Sequence, residues 1–219
     1  MNRLISHCIY STLVLLMMIA TAGAQTADSL FQEALRLDKE GFLEEAAETW
    51  EKLLAAHPGK ELESITRLRL SSTYLKIAQP FKAVEVVKAL TISQPQNFDA
   101  QFHLANALAK IKSFPEAAAS FQKAVELRPG EGLGYVGLAL CLFGDRNPGA
   151  ATEQLQEAKK IFKQKKNISW YRDARIMVHQ IDSFEKYPPS FSDLWLENNL
   201  DLVRNTYEKT VFNLDEWKN

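Results

Sequence analysis

The sequence has little cysteine, little glycine and no excess of charge of either sign. Its 219 residues include 2 cysteines, 9 glycines, 26 lysines plus arginines and 27 aspartates plus glutamates. Two cysteines are too few for a disulfide framework or a thiolate zinc site, because either needs several cysteines at close spacing. A formal net charge of -1 provides no electrostatic attraction to nucleic acid or to an anionic membrane. The fold must therefore depend on apolar packing, and no nucleic-acid partner is predicted.

Motifs of catalysis and of cofactor binding are also missing. There is no Gly-x-Ser-x-Gly elbow, and the glycines of residues 130–137 follow no predicted strand, as a dinucleotide-binding loop would require. Beyond residue 24 the sequence has three histidines, His57, His103 and His179, none with a second ligand at metal-site spacing. Cys141 lies in the apolar run 138–142, which predicts a buried thiol rather than a nucleophile. We therefore expect no enzyme activity, no cofactor and no metal site.

Residues 1–24 have the order of a secretory signal peptide. Arg3 and the amino terminus supply positive charge, residues 13–20 are apolar, and the small residues 22–24 form a cleavage site. We predict cleavage, so that the mature chain begins near Gln25, is periplasmic or secreted, and keeps no membrane span. The alternative is a retained membrane anchor, because the segment carries no charge after Arg3 and is long enough to span a bilayer.

Alanine and proline recur at a nearly constant spacing. Four alanines are separated by 37, 34 and 34 residues: Ala46, Ala83, Ala117 and Ala151. A large apolar residue follows each alanine by four positions, and a proline follows each of the first three by twelve. Proline ends a helix but is tolerated in a helix's first turn, so these prolines mark helix boundaries. The spacing predicts two helices in each of four units, and no segment alternates like a strand.

These residues resemble the tetratricopeptide repeat, a helix-turn-helix unit of 34 residues with small residues where its helices cross. The third unit matches best, through Leu104, Ala105, Leu108, Phe114, Ala117, Phe121, Ala124 and Pro129. The resemblance implies an all-α fold, a right-handed α-solenoid with C-terminal capping helices. Its four units are predicted at residues 27–58, 62–95, 98–129 and 132–162. Close helix packing is predicted at six alanines: Ala46, Ala83, Ala105, Ala117, Ala139 and Ala151.

Residues 167–219 are predicted to form capping helices or a degenerate fifth unit. Apolar residues recur at helical spacing from Trp170 to Phe184, and again after Pro188. The last repeat of a solenoid needs a cap, because no further repeat covers its apolar face. The alternative is an exposed aromatic surface for a partner, formed by Trp195, Tyr207, Phe212 and Trp217.

The resemblance also implies a binding site. Repeats of this family bind extended or helical peptides in a concave groove that the first helix of each unit lines. The alignment places eight residues there: Phe31, Leu35, Leu68, Ser72, Lys76, Phe102, Asn106 and Lys110. Val136, Leu140 and Phe143 extend the groove into the fourth unit, unless the C-terminal helices cover that part. The implied function is an adaptor or assembly factor with a protein or peptide partner, and a homo-oligomer is left open.

A second class of function remains open, an envelope ligand-binding protein or hydrolase that uses the C-terminal segment. His179, Asp182 and Glu185 are spaced by three and fall on one side of a helix, although an exposed polar face accounts for them equally well. Five lysines within residues 159–166 are expected to form the solvated end of a helix, where cations are favoured.

Overall fold

A computed structural model describes residues 26–186 and 188–212 of this chain. These residues form ten α-helices and one 3-10 turn, and none of them lies in a strand. They divide into two compact units, one ending at Gly59 and the other starting at Lys60. The all-α class predicted from the sequence is confirmed.

The predicted signal peptide, residues 1–24, lies outside the described residues, and so does Trp217. Among the helices of the described ranges, none is both long enough and apolar enough to cross a membrane. Export and cleavage of the N-terminal segment stay predictions.

The first unit is a helix pair, α1 (Ala27–Glu40) and α2 (Leu43–Ala55). The Thr26 side chain caps α1 by accepting a hydrogen bond of 3.1 Å from the backbone N–H of Ser29. Gly41 ends the helix at φ 88°, a left-handed conformation that glycine adopts without a Cβ clash. The Phe31 and Trp50 rings meet edge to face, with their centroids 5.5 Å apart. This unit is therefore closed by an aromatic contact between its two helices.

The second unit contains three helix pairs followed by two C-terminal helices. The pairs are α3 (Lys60–Lys76) with α4 (Pro80–Ser93), α5 (Phe98–Lys110) with α6 (Phe114–Leu127), and α7 (Gly132–Gly144) with α8 (Pro148–Gln164). The last helices are α9 (Ile168–Ile181) and α10 (Pro189–Val211), separated by the 3-10 turn Phe184–Lys186. Each helix from α3 to α8 packs on the next one, and α3, α5 and α7 also pack in succession. This is the packing of an all-α solenoid of helical repeats.

The turn inside each of these pairs has the same backbone geometry. One residue in each turn has a left-handed φ: Ala78 (57°), Lys112 (59°) and Arg146 (61°). Each stands five residues before the recurring alanine of its unit. The next residue donates a backbone hydrogen bond to the carbonyl five positions earlier, which closes the turn as in a Schellman motif. Because none of the three is a glycine, the sequence alone does not reveal this turn.

Small residues let the helices of the repeats approach closely. All six alanines predicted to pack between helices are fully buried: Ala46, Ala83, Ala105, Ala117, Ala139 and Ala151. Beside them the Phe102 and Phe121 rings meet edge to face at 5.2 Å between centroids. A Cβ atom at Gly137 would lie 2.4 Å from the Phe121 ring, so α7 needs a glycine where this ring packs on it.

Ala117→Leu is expected to lower the free energy of unfolding by about 1–3 kcal/mol, because the added methylene groups have no space in a filled helix contact. Ala119 lies on the exposed side of the same helix, and Ala119→Leu is expected to change that free energy by less than about 0.5 kcal/mol. Urea unfolding followed by circular dichroism measures both values. Equal effects of the two substitutions would contradict this account of the packing.

Candidate protein-binding site

The first helices of the three pairs in the second unit, α3, α5 and α7, form one side of the repeats. We call this side the first-helix face. Six of the predicted groove residues belong to it: Leu68, Ser72, Lys76, Phe102, Asn106 and Lys110. The C-terminal helix α10 packs against α7 and α5. The last helix of the described ranges therefore covers this face along part of its length.

Aromatic contacts hold α10 near its N-terminal end. The Trp195 ring centroid lies 5.5 Å from that of Phe143 on α7 and 4.8 Å from that of Phe184. The indole N–H donates a hydrogen bond of 2.9 Å to Oε1 of Gln180, which satisfies the single donor of the side chain. Leu140 is fully buried. Helix α10 thus covers the part of the predicted groove that belongs to the fourth unit. This is the alternative in which the C-terminal helices cover that part.

In the middle of α10 two carboxylates bind Lys110. Its Nζ donates hydrogen bonds to Oε1 of Glu197 at 2.8 Å and to Oδ2 of Asp201 at 3.1 Å. Partial burial disfavours the charged amine, but the two carboxylates outweigh this effect and raise the pKa of Lys110. Glu197 and Asp201 are four residues apart, so they project from the same side of the helix. Because these side chains keep substantial solvent exposure, each ion pair contributes at most about 1 kcal/mol.

A small cavity lies next to these ion pairs, between α5, the start of α6 and α10. Its volume is about 60 Å³, and Asn106, Phe114, Leu196 and Arg204 are among the residues that line it. The Asn106 amide nitrogen donates to the Phe102 carbonyl oxygen one turn earlier, at 2.8 Å. Since about 10–15 Å³ of such space holds one water molecule, the cavity has room for a few of them.

Tyr207 makes the closest ring contact between α10 and α5. Its ring centroid lies 3.8 Å from that of Phe102, which is fully buried. The Tyr207 hydroxyl donates a hydrogen bond to Asp99, whose carboxylate also pairs with Arg128 at 3.1 Å. Burial, followed by the Asp99 hydrogen bond, raises the pKa of Tyr207. The hydroxyl therefore stays protonated and continues to donate this bond.

The C-terminal end of α10 reaches α3. Nη2 of Arg69 donates a hydrogen bond of 2.9 Å to the Phe212 carbonyl oxygen, and the guanidinium carbon lies 4.1 Å from the Phe212 ring centroid. The same ring lies 5.4 Å from that of His103. Trp195, Tyr207 and Phe212 are thus buried against their own chain and do not form an exposed aromatic surface.

Three buried polar atoms on and under α10 lack a hydrogen-bond partner among the described residues. They are Nε2 of His103, Nη1 of Arg204 and Oε1 of Glu208. The Arg204 and Glu208 atoms are 3.9 Å apart, close enough for an ion pair but too far for a hydrogen bond. A buried polar atom left unpaired costs about 1–3 kcal/mol. The sequence predicts none of these contacts, because each residue resembles an ordinary solvated helix residue until its neighbours are known.

The structure brings together three of the eight predicted groove residues under α10: Phe102, Asn106 and Lys110. The other five are Phe31 and Leu35 in the first unit and Leu68, Ser72 and Lys76 on α3. Among these five, Lys76 is exposed, Leu35 is half-buried and the rest are buried.

The residues of the alternative ligand-binding or hydrolase site lie near the end of α9. His179 and Asp182 are exposed, whereas the Glu185 side chain is outside what the structure describes. No group of three or more histidine, cysteine or acidic side chains in the described ranges is placed to hold a metal ion. Cys141 is fully buried, and this burial raises the pKa of its thiol, so it is a poor nucleophile.

Residues 68–132 match the tetratricopeptide repeat family. This segment runs from the middle of α3 to the start of α7 and includes every α5 residue that contacts α10. The tetratricopeptide repeat match supports a protein–protein interaction module. No curated protein matches the sequence significantly.

Several solved structures share the fold. MamA from Desulfovibrio magneticus RS-1, solved from residue 41 to its end, is 21% identical with a TM-score of 0.59 over 64% of this chain and 78% of that chain. MamA AMB-1 is 25% identical with a TM-score of 0.58, over 73% and 93%. YrrB, a tetratricopeptide repeat protein with an unusual peptide-binding site, is 19% identical with a TM-score of 0.60, over 69% and 75%.

The buried His103 ring lies next to α10, with its centroid 6.0 Å from that of Tyr207. Burial is the main reason that the pKa of His103 lies below its ordinary value of 6.5. Glu208 and Asp99 favour the protonated ring, whereas Arg204 and Arg69 oppose it. An exposed histidine binds a proton below pH 6.5 but the buried ring resists it, so the folded state loses stability as the pH falls below that value.

Lowering the pH from 7.5 to 5.5 is expected to reduce the free energy of unfolding more in the wild type than in His103→Gln. The difference should reach at most about 1.4 kcal/mol per pH unit below 6.5. Urea unfolding at both pH values measures it, and His179→Gln, at an exposed histidine, should behave as the wild type. If the free energy of unfolding falls as much in His103→Gln as in the wild type, this role of His103 is contradicted.

Proposed function

We propose that this chain is an exported adaptor or assembly factor that binds a helical segment of a partner protein on its first-helix face. The observation that carries the proposal is that this face receives a helix, α10, through the Phe102 ring and the Lys110 ammonium group. A surface that packs one amphipathic helix has the shape and the charge to bind another helix of the same kind.

Three further points support the proposal. The tetratricopeptide repeat match covers all of α5, the middle helix of the first-helix face. YrrB, which shares the fold, is described as having a peptide-binding site. Export rests on the order of residues 1–24, and a second copy of the chain is one of the protein partners that the proposal admits.

The alternative, an envelope ligand-binding protein or hydrolase, rests on His179 beside a surface depression of about 350 Å³. Ile176, Ser183 and Phe191 also line this depression. Among the described residues of this depression, the Ser183 hydroxyl donates its hydrogen bond to the His179 backbone carbonyl, at 2.8 Å, and not to the imidazole ring, so no contact of an activated nucleophile with the ring supports a hydrolase there. The first-helix face is the better-supported site.

Lys110→Glu is expected to weaken partner binding at least about tenfold, because it reverses the charge that binds two carboxylates of α10 on this face. The mature chain from Gln25 is used to capture proteins from its native envelope extract. An enriched protein is then purified and its affinity measured by calorimetry. The matched control is Phe81→Ser with Ile92→Ser, at two residues of α4 that are 74% and 75% exposed.

A partner that binds Lys110→Glu normally but loses affinity for the α4 control would place the site on the other side of the repeats. If no protein is captured and small molecules raise the melting temperature instead, the ligand-binding alternative gains support.

The N-terminal segment is tested separately by fusing residues 1–24 to a phosphatase that is active only after export. Activity is expected from the natural segment and should be lost in Leu15→Arg with Leu16→Arg, because charges interrupt the apolar run. N-terminal sequencing of the exported protein should give a start near Gln25. An active fusion that keeps its first residues would favour the membrane-anchor alternative.

A further inference from the structure

The repeats of the second unit have an end cap before α10 begins. Helix α9 packs on α8, the last helix of the last pair, and the Trp170 ring stacks on Phe162 with centroids 5.7 Å apart. Ala174, Met177 and Ile181 are buried on the same helix. Helix α9 therefore covers the end of the repeats, whereas α10 packs along α7 and α5.

Helix α10 instead returns along the face on which a partner is proposed to bind. We propose that α10 is a built-in competitor of the partner, and that the partner is an amphipathic helix of the same chemistry as α10. That chemistry is a pair of carboxylates four residues apart, followed six residues later by a tyrosine. The inference rests on the proposed function and adds the kind of partner and its regulation.

The pattern follows from what α5 offers to α10. Lys110 binds both Glu197 and Asp201, and the Phe102 ring packs on Tyr207. Asp99 accepts the hydrogen bond from the tyrosine hydroxyl. A single α5 helix therefore provides a cation, a ring and a carboxylate acceptor in a fixed order. A partner helix with the same spacing could make all of these contacts, but only after α10 leaves.

The polar groups of α10 are hydrogen-bonded near its N-terminal end but poorly paired near its C-terminal end. This difference makes replacement of α10 by a partner helix feasible. At its N-terminal end the Trp195 donor is satisfied and its ring lies among other aromatic rings. Farther along, Glu208 is buried with its nearest cation, Arg204, at 3.9 Å, and Nε2 of His103 lacks a hydrogen bond within the described chain. A partner helix without a buried carboxylate at the position of Glu208 would avoid this cost.

The test uses a fluorescein-labelled peptide of residues 189–212, which corresponds to α10 with one further residue, and measures its anisotropy on the full mature chain. Wild-type protein is expected to bind it weakly, because the tethered α10 competes at an effective concentration on the order of millimolar. Glu197→Lys with Asp201→Lys in the chain should tighten binding at least about tenfold, because these lysines repel Lys110 and leave the face to the peptide.

Two further variants separate displacement from misfolding. Glu197→Gln with Asp201→Asn keeps the side-chain shapes, and it should give an affinity between those of the wild type and the lysine variant. Leu194→Ser with Leu202→Ser changes the exposed side of α10, where these residues are 60% and 44% exposed, and should leave peptide affinity unchanged.

Reversing the charges of both the peptide and the protein tests the charge pattern directly. A peptide that carries lysine in place of both carboxylates should bind the protein with natural Lys110 at least about tenfold more weakly than the natural peptide. It should bind Lys110→Glu, in which the charges are opposite again. Binding of both peptides to both proteins with equal affinity would overturn the proposed partner chemistry.

Two other results would overturn the inference. One is a peptide affinity that is the same for the wild type and every α10 variant. The other is a dimer of the lysine variant in light scattering without peptide, because the occupant of the face would then be a second copy of the chain.

Failure of the inference and failure of the proposed function remain distinguishable. A purified partner that requires Lys110 but is not displaced by the peptide would preserve the function and reject α10 as its competitor. A peptide that binds as expected, with no protein partner of the first-helix face, would reject the function and retain the competition.

Discussion

The need to cover the first-helix face determines how the second unit is arranged. Consecutive helices bury one another along the repeats, but a first helix has a further side that the next helix in the chain does not reach. On α5 this side carries the apolar ring of Phe102 beside the polar side chains of His103 and Asn106. Such a surface gains stability when a helix with matching apolar and polar groups packs on it. In this protein that helix is α10.

Small side chains in the repeats leave the aromatic residues in defined positions. Gly132 and Gly137 give α7 the space to pack against the rings of Phe162 and Phe121, which come from the helices on either side. The Phe143 ring remains on α7 to contact Trp195. Close helix packing at alanine and glycine therefore keeps the Phe121 and Phe162 rings inside the repeats, and Phe143 is the ring of α7 that contacts α10.

The sequence predicts the helices well because their boundaries are marked locally. Pro80 and Pro148 each begin a helix, and the buried alanines recur at the repeat length. The alignment also places Phe102, Asn106 and Lys110 together, since residues four apart lie on the same side of a helix. The left-handed turns at Ala78 and its equivalents were not predictable, because non-glycine residues in this conformation leave no compositional signal.

The position of α10 could not be predicted for a different physical reason. Helical spacing of Trp195, Val203 and Tyr207 shows that one side of the helix is buried, but it does not show which surface buries it. The ion pair between Lys110 and Glu197 joins residues 87 positions apart, and neither residue differs from an ordinary solvated one in the sequence. Contacts of this kind become visible only when the fold brings the two helices together.

Because α10 is covalently joined to the repeats, its contacts can be less favourable than those that a separate helix would need to stay bound. Helix α9 joins α8 through apolar residues and a ring stack, as expected of a permanent cap. Helix α10 includes a buried carboxylate, Glu208, and lies on His103, whose Nε2 has no hydrogen-bond partner within the described ranges. Because a helix on the same chain is always nearby, it stays docked at an intrinsic affinity that would leave a separate helix mostly unbound. A better-matched helix from another protein can then exceed that affinity, so the imperfect polar contacts of α10 are compatible with stable folding and with release.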